Sequence, residues 1–220
     1  MGLAFVPVML TMGSVFAQGT NYPAKAIRWV VPFPPGGSGD VLARLVSPKL
    51  AEALGQQVIV DNRSGASGTI GTVAVARSAP DGYTVLSNTL PFVANPALHS
   101  KPPYDVLRDF EPVMLMVNQG PMIALHPSMP EVPTVIESGV PGFEFSAWHW
   151  LMAPKGTPRA VVNTLNAKMK DVLRLPDTIQ RTRHEAFDIM AGTPDDLAIL
   201  LAAEVKKYAR LVKERKMQIE

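Results

Sequence analysis

Apolar residues recur along this chain in two rhythms that take turns. Ala26 to Phe33 is a short apolar run rich in β-branched residues and reads as a buried strand. Pro34-Pro35-Gly36-Gly37-Ser38-Gly39 follows as a loop, and Asp40 stands where a helix N-cap is expected. Val41, Leu42, Leu45, Val46, Leu50 and Leu54 then repeat at helical spacing, with Pro48 expected to kink the helix and Gly55 to end it. The sequence of elements repeats. Gln57 to Val60 predicts a strand, Asn62 to Gly68 a small-residue loop, and Thr69 to Ala79 a helix with Ile70, Val73 and Ala74 inward. Pro80-Asp81-Gly82 is a turn and Tyr83 to Leu86 a third strand. Two strand-loop-helix units feeding a third strand predict an α/β fold with a parallel, helix-covered sheet.

The pattern then loosens. Asn88 to Glu111 is polar and proline-rich, with one short helix expected near Val106. Apolar runs follow at Val113–Val117 and Pro121–Leu125, and Pro127, Pro130 and Pro133 read as a connection. Phe143 to Ala153 is strand-like, with Trp148 and Trp150 on one face as core residues. The remainder reads as helical. Thr157-Pro158 opens one helix as cap and first-turn proline, Pro176 starts another, and Thr193-Pro194-Asp195-Asp196 opens the last with a capping-box spacing. Leu197, Leu200, Leu201, Val205, Tyr208, Leu211 and Val212 form the buried stripe of that last helix.

The first residues carry a different signal. Met1 to Ala17 is apolar and uncharged, and Val15-Phe16-Ala17 suits a signal-peptidase site ahead of the polar Gln18-Gly19-Thr20-Asn21. The expectation is an exported, periplasmic protein cleaved after Ala17, although no positive charge precedes the apolar stretch. Spanning a bilayer takes about 20 residues, so this segment with its internal Pro7 is short for an anchor.

Charge narrows the partners. A formal net charge of +2 gives no field of one sign and implies no nucleic acid partner. Lys206, Lys207, Arg210, Lys213, Arg215 and Lys216 read as the solvated face of the last helix. The absence of cysteine excludes disulfides and thiolate chemistry. His99, His126, His149 and His184 are scattered without a metal-ligand spacing and read as surface or hydrogen-bonded structural histidines, so neither metal nor cofactor is implied. Gly36–Asp40 lacks the lysine of a Walker loop, Gly65, Gly68 and Gly71 lack dinucleotide spacing, and Ser67 lacks the flanks of a nucleophile elbow.

What the two glycine loops offer is recognition. Each precedes a helix N-terminus, whose first N–H groups lack intrahelical partners and whose dipole favours an anion. Glycine lets a ligand approach the backbone, and Ser38, Ser67 and Thr69 add hydroxyls. Small-residue loops also serve simply to turn a chain.

These motifs, taken in order, resemble the Bug-type receptors of tripartite tricarboxylate transporters. The resemblance rests on Tyr22-Pro23, Ile27-Arg28 and Val31-Pro32-Phe33-Pro34-Pro35-Gly36-Gly37 with Asp40, then on Asp61-Asn62-Arg63 with Gly65-Ala66-Ser67-Gly68 and Ile70-Gly71. It continues through Ala79-Pro80-Asp81-Gly82-Tyr83-Thr84, Pro103-Tyr104-Asp105, Asp109-Phe110-Glu111-Pro112-Val113, Val132-Pro133-Thr134, Gly139-Val140-Pro141-Gly142, Trp148, Ala153-Pro154, Gly156-Thr157-Pro158 and Gly192-Thr193-Pro194. It implies a periplasmic binding protein type II-like, Venus-flytrap fold that takes a small carboxylate solute and delivers it to the membrane components of such a transporter. It implies that Phe33 and the loop Gly36, Gly37, Ser38, Gly39 and Asp40 form one wall of a cleft. Ser64, Gly65, Ala66, Ser67, Gly68 and Thr69 form another, with Asn88 and Thr89 after the third strand.

One departure from the family pattern is large. His126-Pro127-Ser128-Met129-Pro130 runs almost directly into Glu131-Val132-Pro133, where the family carries a second lobe of about a hundred further residues. The expected division is a signal over 1–17, the N-terminal part of the first lobe over 18–112, a crossover and remnant of the second lobe over 113–142, and a return strand with C-terminal helices over 143–220. The competing readings are a hydrolytic enzyme on the same scaffold, which needs a nucleophile–base pair, and a solute-independent sensor or interaction module.

Overall fold

The computed structural model describes residues 22–120, 132–143 and 146–217. The Met1–Ala17 segment, the Pro121–Leu125 run and the His126–Glu131 junction lie outside them. Six strands, β1 (Ile27–Val31), β2 (Val58–Asn62), β3 (Thr84–Asn88), β4 (Phe110–Gln119), β5 (Ala147–Pro154) and β6 (Phe187–Ile189), form one sheet in the order β2-β1-β3-β5-β4-β6.

β1 pairs in parallel with β2 and β3, as the repeated strand-loop-helix units require. Beyond β3 the parallel expectation fails, because β5 runs antiparallel to both β3 and β4, and β6 antiparallel to β4. The sheet is therefore mixed. β6, three residues long, is absent from the sequence reading, which took this region as helical. So short a strand has no periodicity of its own and exists through its pairing with Val117–Gln119.

Among the described residues, six α-helices cover the two faces. On β1, Ile27, Trp29 and Val31 point to one side and pack with α1 (Ser38–Leu54), α4 (Arg159–Leu173) and Phe187, next to α5 (Pro176–His184). Val30 points to the other side and packs with Leu86, Trp150 and Met152 against α2 (Thr69–Ala76), α3 (Pro91–Leu98) and α6 (Pro194–Arg215). The alternation of side chains along a strand is thus what divides the core into two clusters. Trp150 is fully buried and Trp148 half-buried in the second cluster, as core residues.

Several local expectations change. The N-cap of α1 is Gly37, and Asp40 sits a full turn's third position inside. α1 continues through Pro48 to Leu54 and ends on Gly55 in the left-handed region at φ 67°. α2 ends at Ala76 and turns Gly71, Thr72 and Val75 inward, leaving Ile70 57% exposed. The cause is close packing: a Cβ on Gly71 would lie 2.7 Å from the Arg63 carbonyl oxygen and 2.9 Å from Pro32 Cβ. α3 was hidden by its prolines, but Pro91 sits in the first turn, where a missing N–H costs nothing, and Phe92 and Val93 are buried. The segment at Val106 is only a turn, closed by Leu107 and Arg108 N–H groups donating to Asp105 Oδ1. Pro158 is the N-cap of α4, while the Thr157 hydroxyl donates back to the Pro154 carbonyl at 2.7 Å. The capping box at Thr193 and Asp196 forms as read.

Candidate functional site

The three parallel strands end side by side, at Val31, Asn62 and Asn88. The loops leaving those ends therefore share one rim of the sheet, where ligands of open α/β folds bind.

The first loop is braced from within. Asp40 is 3% exposed, and its carboxylate accepts from the Gly36 N–H at 2.9 Å, from Asn62 Nδ2 at 3.0 Å and from Arg44 Nε at 2.9 and 3.0 Å. Burial alone raises the Asp40 pKa, but the donors Arg44, Gly36 and Asn62 and the Arg44 charge outweigh it and hold the carboxyl below its ordinary value. Asn62 Nδ2 also donates to the Phe33 carbonyl at 3.1 Å, and its Oδ1 accepts from Arg44 Nη2 at 2.9 Å. Asp40 thus faces inward and fixes the loop, leaving Gly36, Gly37 and Ser38 exposed and Phe33 and Gly39 half-buried.

The second loop has an unusual backbone. Gly65, Ala66, Ser67 and Gly68 all have positive φ, at 127°, 47°, 52° and 87°. Left-handed geometry at Ala66 and Ser67 costs roughly 1–2 kcal/mol per residue, so neighbours must hold it in place. They do so through the carbonyls. Asn95 Nδ2 donates to the Ser67 carbonyl at 2.9 Å, and Thr72 Oγ1 donates to the Gly68 carbonyl at 2.7 Å. Asn88 Nδ2 donates to Thr72 Oγ1 at 2.9 Å, and Asn88 Oδ1 accepts from the Thr89 N–H at 2.7 Å. Asn88 is 2% exposed and both its amide nitrogen and oxygen have partners, so it supports the loop from behind.

The two loops touch. A Cβ on Gly68 would lie 3.3 Å from Phe33 Cζ, so the Phe33 ring packs directly on that glycine. Among the described residues, the hydroxyls of Ser38, Ser64, Ser67, Thr69 and Thr89 make no side-chain hydrogen bond. The nearby cations are already matched, Arg44 to Asp40 and Arg63 to Asp61 at 2.8 Å. The rim therefore presents hydroxyls and backbone amides, with no unpaired guanidinium. Among the described residues no cluster of three metal-ligating side chains occurs, and no helix is long and apolar enough to cross a membrane.

The sequence reading of the rim missed its braces. Asn62 ends β2 and does not belong to the loop, and Thr72 and Asn95 fall in no motif. The detectable signal was a short polar residue within an otherwise apolar helix, which needs a partner when buried. His99 Nδ1 lies 2.8 Å from the Asn95 carbonyl oxygen, as a hydrogen-bonded structural residue. His149 departs from that expectation: it is 1% exposed, neither ring nitrogen has a partner among the described residues, and it packs edge-on against Phe187 with centroids 5.5 Å apart. Burial pushes its pKa down to about 4.

Comparison with known proteins places this geometry. A family model described as "Tripartite tricarboxylate transporter family receptor" matches residues 42–128 and again 124–217. The match breaks between β4 and β5. A Pseudomonas sp. (strain P51) relative, the UPF0065 protein in the tcbD-tcbE intergenic region, is 28% identical over 315 aligned positions spanning 98% of this chain and 94% of its own. With 220 residues available, about a hundred of those positions have no counterpart here. The solved structure of the periplasmic binding protein BugD superimposes with a TM-score of 0.80 at 24% identity, covering 90% of this chain and 100% of that one. An R. palustris protein solved with adipate gives 0.79 at 23% identity, covering 87% and 97%. The two-loop rim, the mixed sheet and the family match together show that the chain belongs to the tripartite tricarboxylate transporter receptor family, with the first lobe largely complete and most of the second missing.

Proposed function

We propose that this protein is an extracytoplasmic receptor that takes a small carboxylate-bearing solute at the rim formed by residues 36–40 and 64–69. On this reading it presents the solute to the membrane components of a tripartite tricarboxylate-type transporter. The observation that carries the reading is the second loop. Its four positive-φ residues are held by buttressed carbonyls, while the Ser67 and Thr69 hydroxyls and the start of α2 remain available. Successive amides in such a turn form an anion-directed concavity, and the helix dipole adds to it. Phe33, Gly36, Gly37, Ser38 and Gly39 supply the opposite wall. Asp40 and Asn88 act as positioning residues. The adipate seen with one structural neighbour supports a carboxylate as the solute class.

A hydrolytic role finds less support. Among the described residues, His99 bonds a backbone carbonyl and His149 is sealed in the core, so neither is hydrogen-bonded to a serine or threonine hydroxyl.

Export through the Met1–Ala17 segment accords with this role, and mass spectrometry of periplasmic protein beginning at Gln18 is the expected result. A retained Met1 on soluble cytoplasmic protein refutes it. Binding is tested by thermal shift and calorimetry with malate, adipate, citrate and nicotinate, since a native-state ligand raises Tm by mass action. At least one carboxylate is expected to bind, and Ser67→Ala is expected to weaken it. No response to any of them at tens of millimolar, a range set by the affinity scale, refutes the proposal.

A further inference from the structure

A concavity lies far from the rim loops in the strand order, where α4, α5 and the edge strand β6 meet. Its volume is about 330 Å³, and Leu173, Ile179 and Phe187 form its apolar floor. Leu173 and Phe187 are 0% and 2% exposed and belong to the main core. Arg174 and Arg183 stand on its border, both exposed. Among the described residues neither enters an ion pair, whereas Arg181, on the same helix as Arg183, is paired with Asp177 at 3.1 Å. Asp188 also lines the cavity and is likewise unpaired. The charged lining is thus two guanidinium groups and one carboxylate.

Small-ligand pockets combine an apolar lining with a few convergent polar groups and hold roughly 300–1,000 Å³. This cavity has an apolar floor and three charged lining residues, and its volume is at the small end of that range. We propose that it is an accessory binding site for a small monocarboxylate with an apolar body, such as an aromatic or branched aliphatic acid. The hydrocarbon rests on Leu173, Ile179 and Phe187, and the carboxylate meets Arg174 and Arg183. Guanidinium forks suit carboxylates because they donate two parallel hydrogen bonds. Asp188 selects against more highly charged anions, which meet its repulsion after the first charge is matched. The site is independent of the rim loops, because no residue is shared.

The test is an amide chemical-shift titration of the whole chain with benzoate, acetate and inorganic phosphate. Benzoate is expected to shift Thr182, Phe187 and Ile189 saturably, with acetate and phosphate at least about tenfold weaker, since neither covers the apolar floor. Arg174→Gln and Arg183→Gln are each expected to weaken benzoate about fivefold to tenfold, as for loss of an exposed charge-assisted contact. Both are surface changes, and an unchanged Tm shows that the fold persists. Shifts confined to residues 36–39 and 64–69, equal affinity for acetate and benzoate, or indifference to both substitutions would each overturn the proposal. Dicarboxylate binding at the rim is read from Gly65–Thr69 in the same spectra, so failure of one site is distinguishable from failure of the other.

Discussion

Replacing Asp40 by alanine separates the loop's internal brace from its exposed surface. The carboxylate is buried, but its partners are not equally so: the Arg44 side chain is 55% exposed, Gly36 is exposed and Asn62 half-buried. A fully buried ion pair broken on one side costs about 3–5 kcal/mol because the remaining charge is stranded. Here Arg44 returns to water, so that figure does not apply. What is lost is a set of charge-assisted hydrogen bonds, worth about 1.5–3 kcal/mol when nothing replaces them, and a helix-dipole contribution of about 0.3–1 kcal/mol. Water at Gly36 and Arg44 recovers part of this, and alanine's helix propensity returns up to about 0.6 kcal/mol. The expected net loss is about 1–2 kcal/mol at pH 7. For a urea slope of about 2–3 kcal/mol/M this moves the midpoint by roughly 0.5 M, readable from the fluorescence of the buried Trp29 and Trp150. The acid limb gives a sharper test. The folded-state pKa of Asp40 lies below its ordinary value, so its contribution is present above the unfolded pKa near 4 and is lost as pH falls through the folded one. The gap between Asp40→Ala and the parent chain must therefore narrow on acidification. A gap under about 0.5 kcal/mol at pH 7, or one undiminished at pH 3, refutes the bracing role.

Three further outcomes follow from the same structure. Gly71→Ala gains up to about 1 kcal/mol of helix propensity, but its methyl meets backbone at Arg63 and Pro32, so a net loss of about 1–2 kcal/mol is expected in denaturant melts, and a stabilised variant contradicts the packing. His149 is held neutral with a pKa near 4 against about 6.5 unfolded, so the unfolded state binds the extra proton between those values and stability falls as pH drops through that window, by up to about 3 kcal/mol. His149→Phe, if it folds, should flatten that slope, and an unchanged slope rules the histidine out as its source. Rim binding without most of the second lobe leaves the carboxylate solvated, so millimolar rather than micromolar affinity is expected, a difference of about 4 kcal/mol, with no compaction in small-angle scattering. Micromolar binding with compaction shows that the remaining residues still close over the ligand.

Much of the rim was legible in the sequence because its signals are local. β-branched runs gave β1 to β3, and glycine and proline gave the loops at their ends. What was illegible depends on partners distant in the chain. The inward turn of Gly71 in place of Ile70 is decided by Pro32 and Arg63. β6 is decided by β4, and the antiparallel turn of the sheet by β5 lying between β3 and β4. Asp40 was recognised as belonging to the loop, but the direction of its carboxylate depends on Asn62, 22 residues away. α3 shows a different failure, since two prolines masked a helix that Phe92 and Val93 anchor.

The register of β4 and β5 has a consequence for how the chain reaches this fold. Gln119 and Ala147 are direct partners at the rim end of two hydrogen-bonded strands. The absent residues fall between them, so their loss shortens a connection without opening the sheet. Adding about a hundred residues to the 27 between Gln119 and Ala147 would make that loop nearly fivefold longer, which by chain statistics costs about 1.4 kcal/mol more entropy before any contact forms. Here β4 and β5 are joined across 27 residues. Lower contact order speeds folding, so this protein should nucleate on β4 and β5 and fold faster than its two-lobed relatives.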